Sequence, residues 1–170
     1  MPRITEINID TASEEVKKTV ADHLAEGHRL TSEKRTLLHN VAAFLALEES
    51  SYTLDDELQR LIGKRAADFY EYAISVQNDC FVCTAYFTNL LKKNGIDFDT
   101  FEFTDEERLL ISFGQAIAKD PKNVPDALFD QMKQTFTEEQ IVVITTMGVL
   151  MIANNYLNDI LQVTPEEIVD

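Results

Sequence analysis

Glycine and proline are scarce in this chain, five and four among 170 residues. Hairpin turns draw on both, so a fold rich in β-structure is hard to build from it. Tryptophan is absent, and cysteine occurs only twice, too rarely for a disulfide framework in a domain this large. Basic residues are also short, 15 against 30 acidic ones, for a formal net charge of −15. Such a surface repels phosphate backbones and anionic lipid, which argues against nucleic acid or a membrane as partner. The acids are scattered among apolar positions, as on a solvated surface. The opening MPRITEINID has no apolar run of the signal-peptide kind. The longest apolar run, residues 141–153, has 13 residues, where a bilayer span takes about 20. The expectation is a cytoplasmic chain with reduced thiols.

What the chain does have is helical periodicity almost throughout. TASE, beginning at Thr11, reads as a capping box, with Val16, Val20 and Leu24 on one stripe and a stop near Gly27. A helix opening at Thr31 or Ser32 runs into VAAFLALEE, and Thr53 caps TLDDELQRLIG as far as Gly63. KRAADFYEYAISVQ follows as a second segment, or as the same helix bent at that glycine. Asn78 or Asp79 caps the next helix, which stops at Gly95. Thr104 caps another, with acids in its first turn and Lys119 at its end, as the helix dipole favours. Pro125 suits a first helical position, and TEEQ at Thr137 is a capping box for a helix reaching about Leu161. No segment reads as a strand. The expected fold is all-α, one domain over residues 1–170. The last helix is apolar on more than one face, so it is either central or packed against another subunit.

Both cysteines lie in NDCFVCTAYF, residues 78–87. With Asp79 as cap, Cys80 takes the first helical position and Cys83 follows one turn later on the same side, within bonding reach. A helix N-terminus favours a thiolate, and a second thiol one turn on can resolve a sulfenic acid or mixed disulfide. The plainer alternative is two buried, inert thiols. A zinc site needs four ligands, and beyond this pair there are only His23, His28 and His39, far upstream. A thioredoxin motif belongs in a βαβ context. No glycine-rich phosphate loop is present, so no nucleotide cofactor is implied.

An all-α chain with CxxC at a helix start points elsewhere. KRAADFYEYAISVQNDCFVCTAYFTNLLKKNGID resembles the core motif of the carboxymuconolactone decarboxylase / alkylhydroperoxidase (AhpD-like) family. The likeness extends upstream to TLLHNVAAF, similar to that family's helix start, and downstream from TDEERLLISF to the last helix. In the family a carboxylate stands twelve residues before the CxxC, and a histidine follows four after the second cysteine. Here Cys80 and Cys83 match the dithiol, and Asp68 stands where glutamate is usual. Phe87 replaces the histidine, and Val82 sits where some members have another. Glu71, one turn beyond Asp68, is a substitute acid, its plainer reading being a solvated helix residue. Tyr70, Tyr72 and Tyr86 are weak donors or core edges, and His39 is a helix-junction hydrogen bonder.

The resemblance implies a thiol–disulfide redox protein reducing peroxides or disulfides. Cys83 would attack, Cys80 resolve and Asp68 assist proton movement, with a thiol or dithiol protein as electron donor. It implies no metal or other cofactor, and a homo-oligomer, trimer or hexamer. Loss of the histidine weakens a proton relay of a kind commonly worth ~10²–10⁴ in rate. Two other readings remain. One is a scaffold of the same fold without chemistry, which Phe87 favours. The other is a lactone decarboxylase, which would use Lys64, Arg65, Lys92 and Lys93 but would lack a histidine and leave the dithiol unexplained.

Overall fold

The computed structural model describes residues 1–167; the last three residues of the expected domain, 168–170, lie outside the described residues. A short 3-10 turn, Ile9–Thr11, precedes eight α-helices, and no strand occurs among the described residues. They are α1 (Glu14–Ala25), α2 (Ser32–Leu37), α3 (Val41–Ile62), α4 (Lys64–Gln77), α5 (Phe81–Lys93), α6 (Asp105–Lys119), α7 (Asp126–Thr135) and α8 (Glu138–Leu161). The all-α expectation holds.

α4 is the axis of the structure, packed against α3, α5, α6 and α8. Every residue from Ala66 to Glu71 is buried, as are Ala73, Ile74 and Ser75. The central contact is Tyr70, wholly buried, whose hydroxyl donates to the Ile144 carbonyl on α8 at 2.8 Å. Two glycines admit it. A Cβ at Gly148 would lie 2.1 Å from the Tyr70 oxygen and 2.6 Å from Ile117 Cδ1, and one at Gly114 would meet the ring at 3.0 Å. Tyr70 is therefore a core residue rather than a proton donor to the cysteines.

Several boundaries differ from the sequence expectation. Thr11 lies in the 3-10 turn, and α1 is capped by Ser13, which accepts from the Val16 N–H. α2 does not run into α3, because the chain turns through residues 38–40 and Asn40 caps afresh, accepting from Ala43 N–H. Thr53 caps nothing. α3 continues through it because the stripe of Phe44, Leu47, Leu54 and Leu58 continues on both sides. Gly63, at φ 84°, separates α3 from α4. Pro125 caps α7 rather than opening it. The boxes at Thr104 and Thr137 form as expected.

α8 is longer than its 13-residue apolar run, at 24 residues, enough by length and composition to cross a bilayer. Its inner face packs Ile141, Ile144, Met147 and Met151 into the core together with Asn155 and Asn158. Its outer face carries Val142, Thr146, Val149, Ala153, Tyr156 and Ile160, all exposed. These alternate at spacings of four and three, the pattern of a coiled-coil seam.

Candidate active site

The turn between α4 and α5 places the cysteines. Asn78 ends α4, and Asp79 takes a left-handed conformation at φ 56°, which Asp tolerates better than most residues. The cap therefore falls one residue later than expected. Cys80 itself is the N-cap, and its sulfur accepts from the Cys83 N–H at 3.4 Å. The two sulfurs lie 2.9 Å apart and both thiols are free. Asn158 of α8 donates to the Cys83 sulfur at 3.3 Å.

Charge is divided unequally within this pair. The Cys83 thiol and backbone N–H both stabilise a Cys80 thiolate, so the Cys80 thiol is drawn below its ordinary value of 9.0. Hydrogen bonding to that thiolate, together with burial, holds the proton on Cys83 and raises its thiol well above the same value. Exposure runs the other way, since Cys80 is wholly buried while Cys83 is 7% exposed. Cys83 opens into a cavity of about 390 Å³, the size range of small-molecule sites.

Val82, Phe87, Met147 and Met151 form the apolar wall of this cavity. His28 and Tyr52, stacked 3.7 Å apart with 12° between their planes, line another side. The remaining lining mixes neutral polar residues, Thr31, Ser32, Ser51 and Asn154 among them, with charged ones. Lys34 pairs with Glu48 at 2.8 Å, and Arg29 pairs with Glu166 at 2.8 Å. Glu33, Asp55 and Glu71 complete it. Burial, then the charges of Asp55 and Asp68, push the Glu71 carboxyl well above the ordinary 4.5. It hydrogen-bonds Asp55, while its Oε1 is buried without a hydrogen-bond partner. Burial also raises Glu33, against an opposing hydrogen bond from Asn158.

The residues expected at the site are thus only partly together. Cys80 and Cys83 meet. Asp68 is buried but pairs with Lys64 at 3.1 Å and does not line the cavity. Burial pushes its carboxyl up and the Lys64 ammonium pulls it back. Glu71 is 6% exposed and shares the cavity with Cys83, so its plain reading as a solvated residue is corrected. Tyr86 lines the cavity, whereas Tyr72 packs edge-on against Phe98. His39 bonds the Thr5 carbonyl at 2.7 Å on the surface, as expected for a junction residue. Arg65 pairs with Glu107 at 2.7 Å, and Lys92 and Lys93 line an adjoining surface cleft that shares Arg29, Tyr86 and Glu166 with the cavity. Glu33, Lys34, Glu48, Tyr52, Asp55 and Asn158 were not singled out from sequence. The signal available for three of them was the spacing of Glu48, Tyr52 and Asp55 along one face of α3. Among the described residues, no group of three or more His, Cys, Asp or Glu side chains could hold a metal ion.

No protein-family model matches the chain, and no curated protein matches it. Solved structures do match it. The debrominase Bmp8 superposes with a TM-score of 0.79 over 97% of this chain and 92% of its own, at 16% identity. A cysteine-to-alanine variant of that protein has been crystallised with 2,3,4-tribromopyrrole. An uncharacterised peroxidase-related protein from Ralstonia eutropha JMP134, described as an alkylhydroperoxidase AhpD core, gives 0.73 over 98% and 93%, at 16% identity. A peroxidase-related protein from Silicibacter sp. TM1040 gives 0.73 over 95% and 92%, at 13% identity. The fold of this chain is that of the AhpD-like helical proteins.

Proposed function

We propose that this protein is a thiol–disulfide oxidoreductase that reduces a small-molecule peroxide or disulfide through Cys80 and Cys83. The observation that carries the proposal is the pair of reduced sulfurs 2.9 Å apart, one stabilised as thiolate and the other facing a cavity. Proton exchange across that contact moves the thiolate to Cys83, the member that reaches the cavity. Cys83 sulfur then attacks the O–O bond, becoming a sulfenic acid as the alcohol or water leaves. Cys80 displaces the sulfenic oxygen as water and closes the disulfide, so one peroxide consumes two thiols. A cellular thiol or dithiol protein restores the pair. Asp68 is tied to Lys64 and does not line the cavity, and Glu71 is the carboxyl that shares it with Cys83.

Titration of thiols before and after stoichiometric peroxide, with mass spectrometry of the peptide spanning both cysteines, tests this reading. Both thiols should be lost together as an internal disulfide, recovered by dithiothreitol and abolished in Cys83→Ser. Thiols that persist for hours would overturn it and leave the non-catalytic scaffold.

A second reading, reductive dehalogenation, is favoured by the apolar and sulfur-bearing wall of the cavity and by the Glu71 carboxyl beside it, whose proton burial holds more tightly than usual. There two thiols and an aryl bromide would yield the arene, hydrogen bromide and the disulfide, and bromide release would identify it. The outer seam of α8 supports a homo-oligomer in which this face packs on a second copy. The acidic surface and reduced thiols suit a cytoplasmic protein.

A further inference from the structure

The wall opposite Cys83 holds more carboxyl groups than its cations can neutralise. Arg29 and Lys34 are the lysine and arginine side chains that line the cavity, and both are taken, by Glu166 and Glu48. Lys34 is further committed to the Tyr52 hydroxyl at 2.5 Å. Asp55 and Glu71 have no ion pair with a lysine or arginine of the lining, and Lys34, whose charge reaches Glu33, is paired with Glu48. An anionic ligand entering here would meet no unpaired ammonium or guanidinium, and the chain's net charge of −15 would oppose its approach.

A cluster of acids alone could simply be protonated surface. Glu71 argues otherwise, being 6% exposed with an Oε1 that is buried and has no partner, at the wall of an open cavity. A neutral apolar ligand would leave that oxygen unsatisfied, whereas a donor group would satisfy it. The donor set does not suit a metal ion, since no metal-holding cluster exists among the described residues. The wall also tolerates an ammonium against its aromatic rings, as Lys34 Nζ already sits 4.9 Å from the Tyr52 ring centroid. Desolvation raises the Glu33 and Glu71 carboxyls above their ordinary value, helped by the charge of Glu48 at Glu33 and by those of Asp55 and Asp68 at Glu71. An arriving cation would favour their ionisation, releasing protons and strengthening the contact.

We propose that the cavity beside Cys83 binds a positively charged organic molecule, an ammonium-bearing disulfide or peroxide, with its cation seated among Glu33, Asp55 and Glu71. Turnover of such a molecule rests on the redox reading above; binding does not. With a disulfide, Cys83 thiolate forms a mixed disulfide and expels one thiolate. Cys80 then closes the internal disulfide and expels the second thiol, so two protein thiols become one disulfide and the probe becomes two thiols.

Three disulfide probes of similar length separate charge from reactivity: doubly cationic cystamine, neutral bis(2-hydroxyethyl) disulfide and doubly anionic 3,3′-dithiodipropionate. The rate of dithiol loss with each is divided by that probe's rate with 2-mercaptoethanol at the same pH. High salt screens the outer surface. The normalised rate should fall from cation to neutral to anion, with cystamine at least about tenfold ahead of the anion. Glu71→Gln and Asp55→Asn should each shrink that ratio, and Glu166→Gln, which frees Arg29, should accelerate the anionic probe. Circular dichroism checks that each variant folds. Equal normalised rates, or a faster anion, would overturn the charge preference while leaving the redox reading intact. No thiol loss with any probe or with stoichiometric peroxide would overturn the redox reading instead. In that event the rise in melting temperature with cadaverine, against 1,5-pentanediol and glutarate, decides the cation site. A rise specific to cadaverine that grows with pH supports the site, and equal effects of the three sink it.

Discussion

Tyr70 and Glu71 are neighbours on α4 and both are buried, yet they face opposite kinds of surroundings. The Tyr70 side is finished: its one hydroxyl is bonded, two glycines fit its ring, and apolar residues of α6 and α8 close around it. The Glu71 side is unfinished, with its carboxyl Oε1 and the Asn154 and Asn158 side-chain oxygens on α8 buried without hydrogen-bond partners. A fold selected only for stability satisfies its buried polar groups. The contrast therefore separates the part of the helix that holds the structure together from the part that lines the candidate site.

The largest way to break the structural side is Gly148→Ala. The added methyl overlaps both the Tyr70 oxygen and Ile117, and the hydroxyl's bond to Ile144 would be lost as Tyr70 moves. Overpacking of this kind costs about 1–3 kcal/mol, with about 1 kcal/mol more for the hydrogen bond. Denaturant unfolding should show that loss in the midpoint.

On the open side, Glu71→Gln should act through pH. The folded state holds the Glu71 proton more tightly than the unfolded chain does. Its contribution is therefore complete below about 4.5 and declines as pH rises toward the raised folded value, at about 1.4 kcal/mol per unit of difference. The variant's stability should be flatter over that window, so that its disadvantage at low pH disappears or reverses by neutral pH. Parallel slopes for both proteins would show that Glu71 is solvated after all.

Two smaller effects sharpen the same comparison. Asp68→Asn removes the partner of a half-exposed Lys64 and should change stability by no more than about 1 kcal/mol. Its thiol-oxidation rate should stay closer to wild type than that of Glu71→Gln. Val149→Glu, on the outer seam of α8, should leave the unfolding midpoint of the isolated subunit nearly unchanged. In sedimentation the proposed homo-oligomer should fall apart into single subunits in this variant.

Much of the architecture was legible from residue order. The capping boxes at Thr104 and Thr137 and the glycine stops at Gly63 and Gly95 are local signals, and the structure follows them. Thr11 and Thr53 carried similar local signals and lost. Ser13 offers a cap two residues on, and the apolar stripe through Thr53 gains more from continuous packing than a new cap would provide. Asp79 was misread because its left-handed turn, rather than its side chain, ends the link to α5 and passes the capping role to Cys80.

Sequence by itself determined the helical class, the CxxC at a helix start and the acidic surface. Each depends on neighbours within a turn or on simple composition. Tertiary structure alone decided which carboxyl faces the dithiol. Asp68 and Glu71 differ by one turn and have similar chemistry, but α3 brings Asp55 against Glu71 while Lys64 on α4 itself claims Asp68. It also decided that Cys83, not Cys80, reaches the cavity. Burial and charge at such a site are set by residues distant in the chain, and no local pattern encodes them.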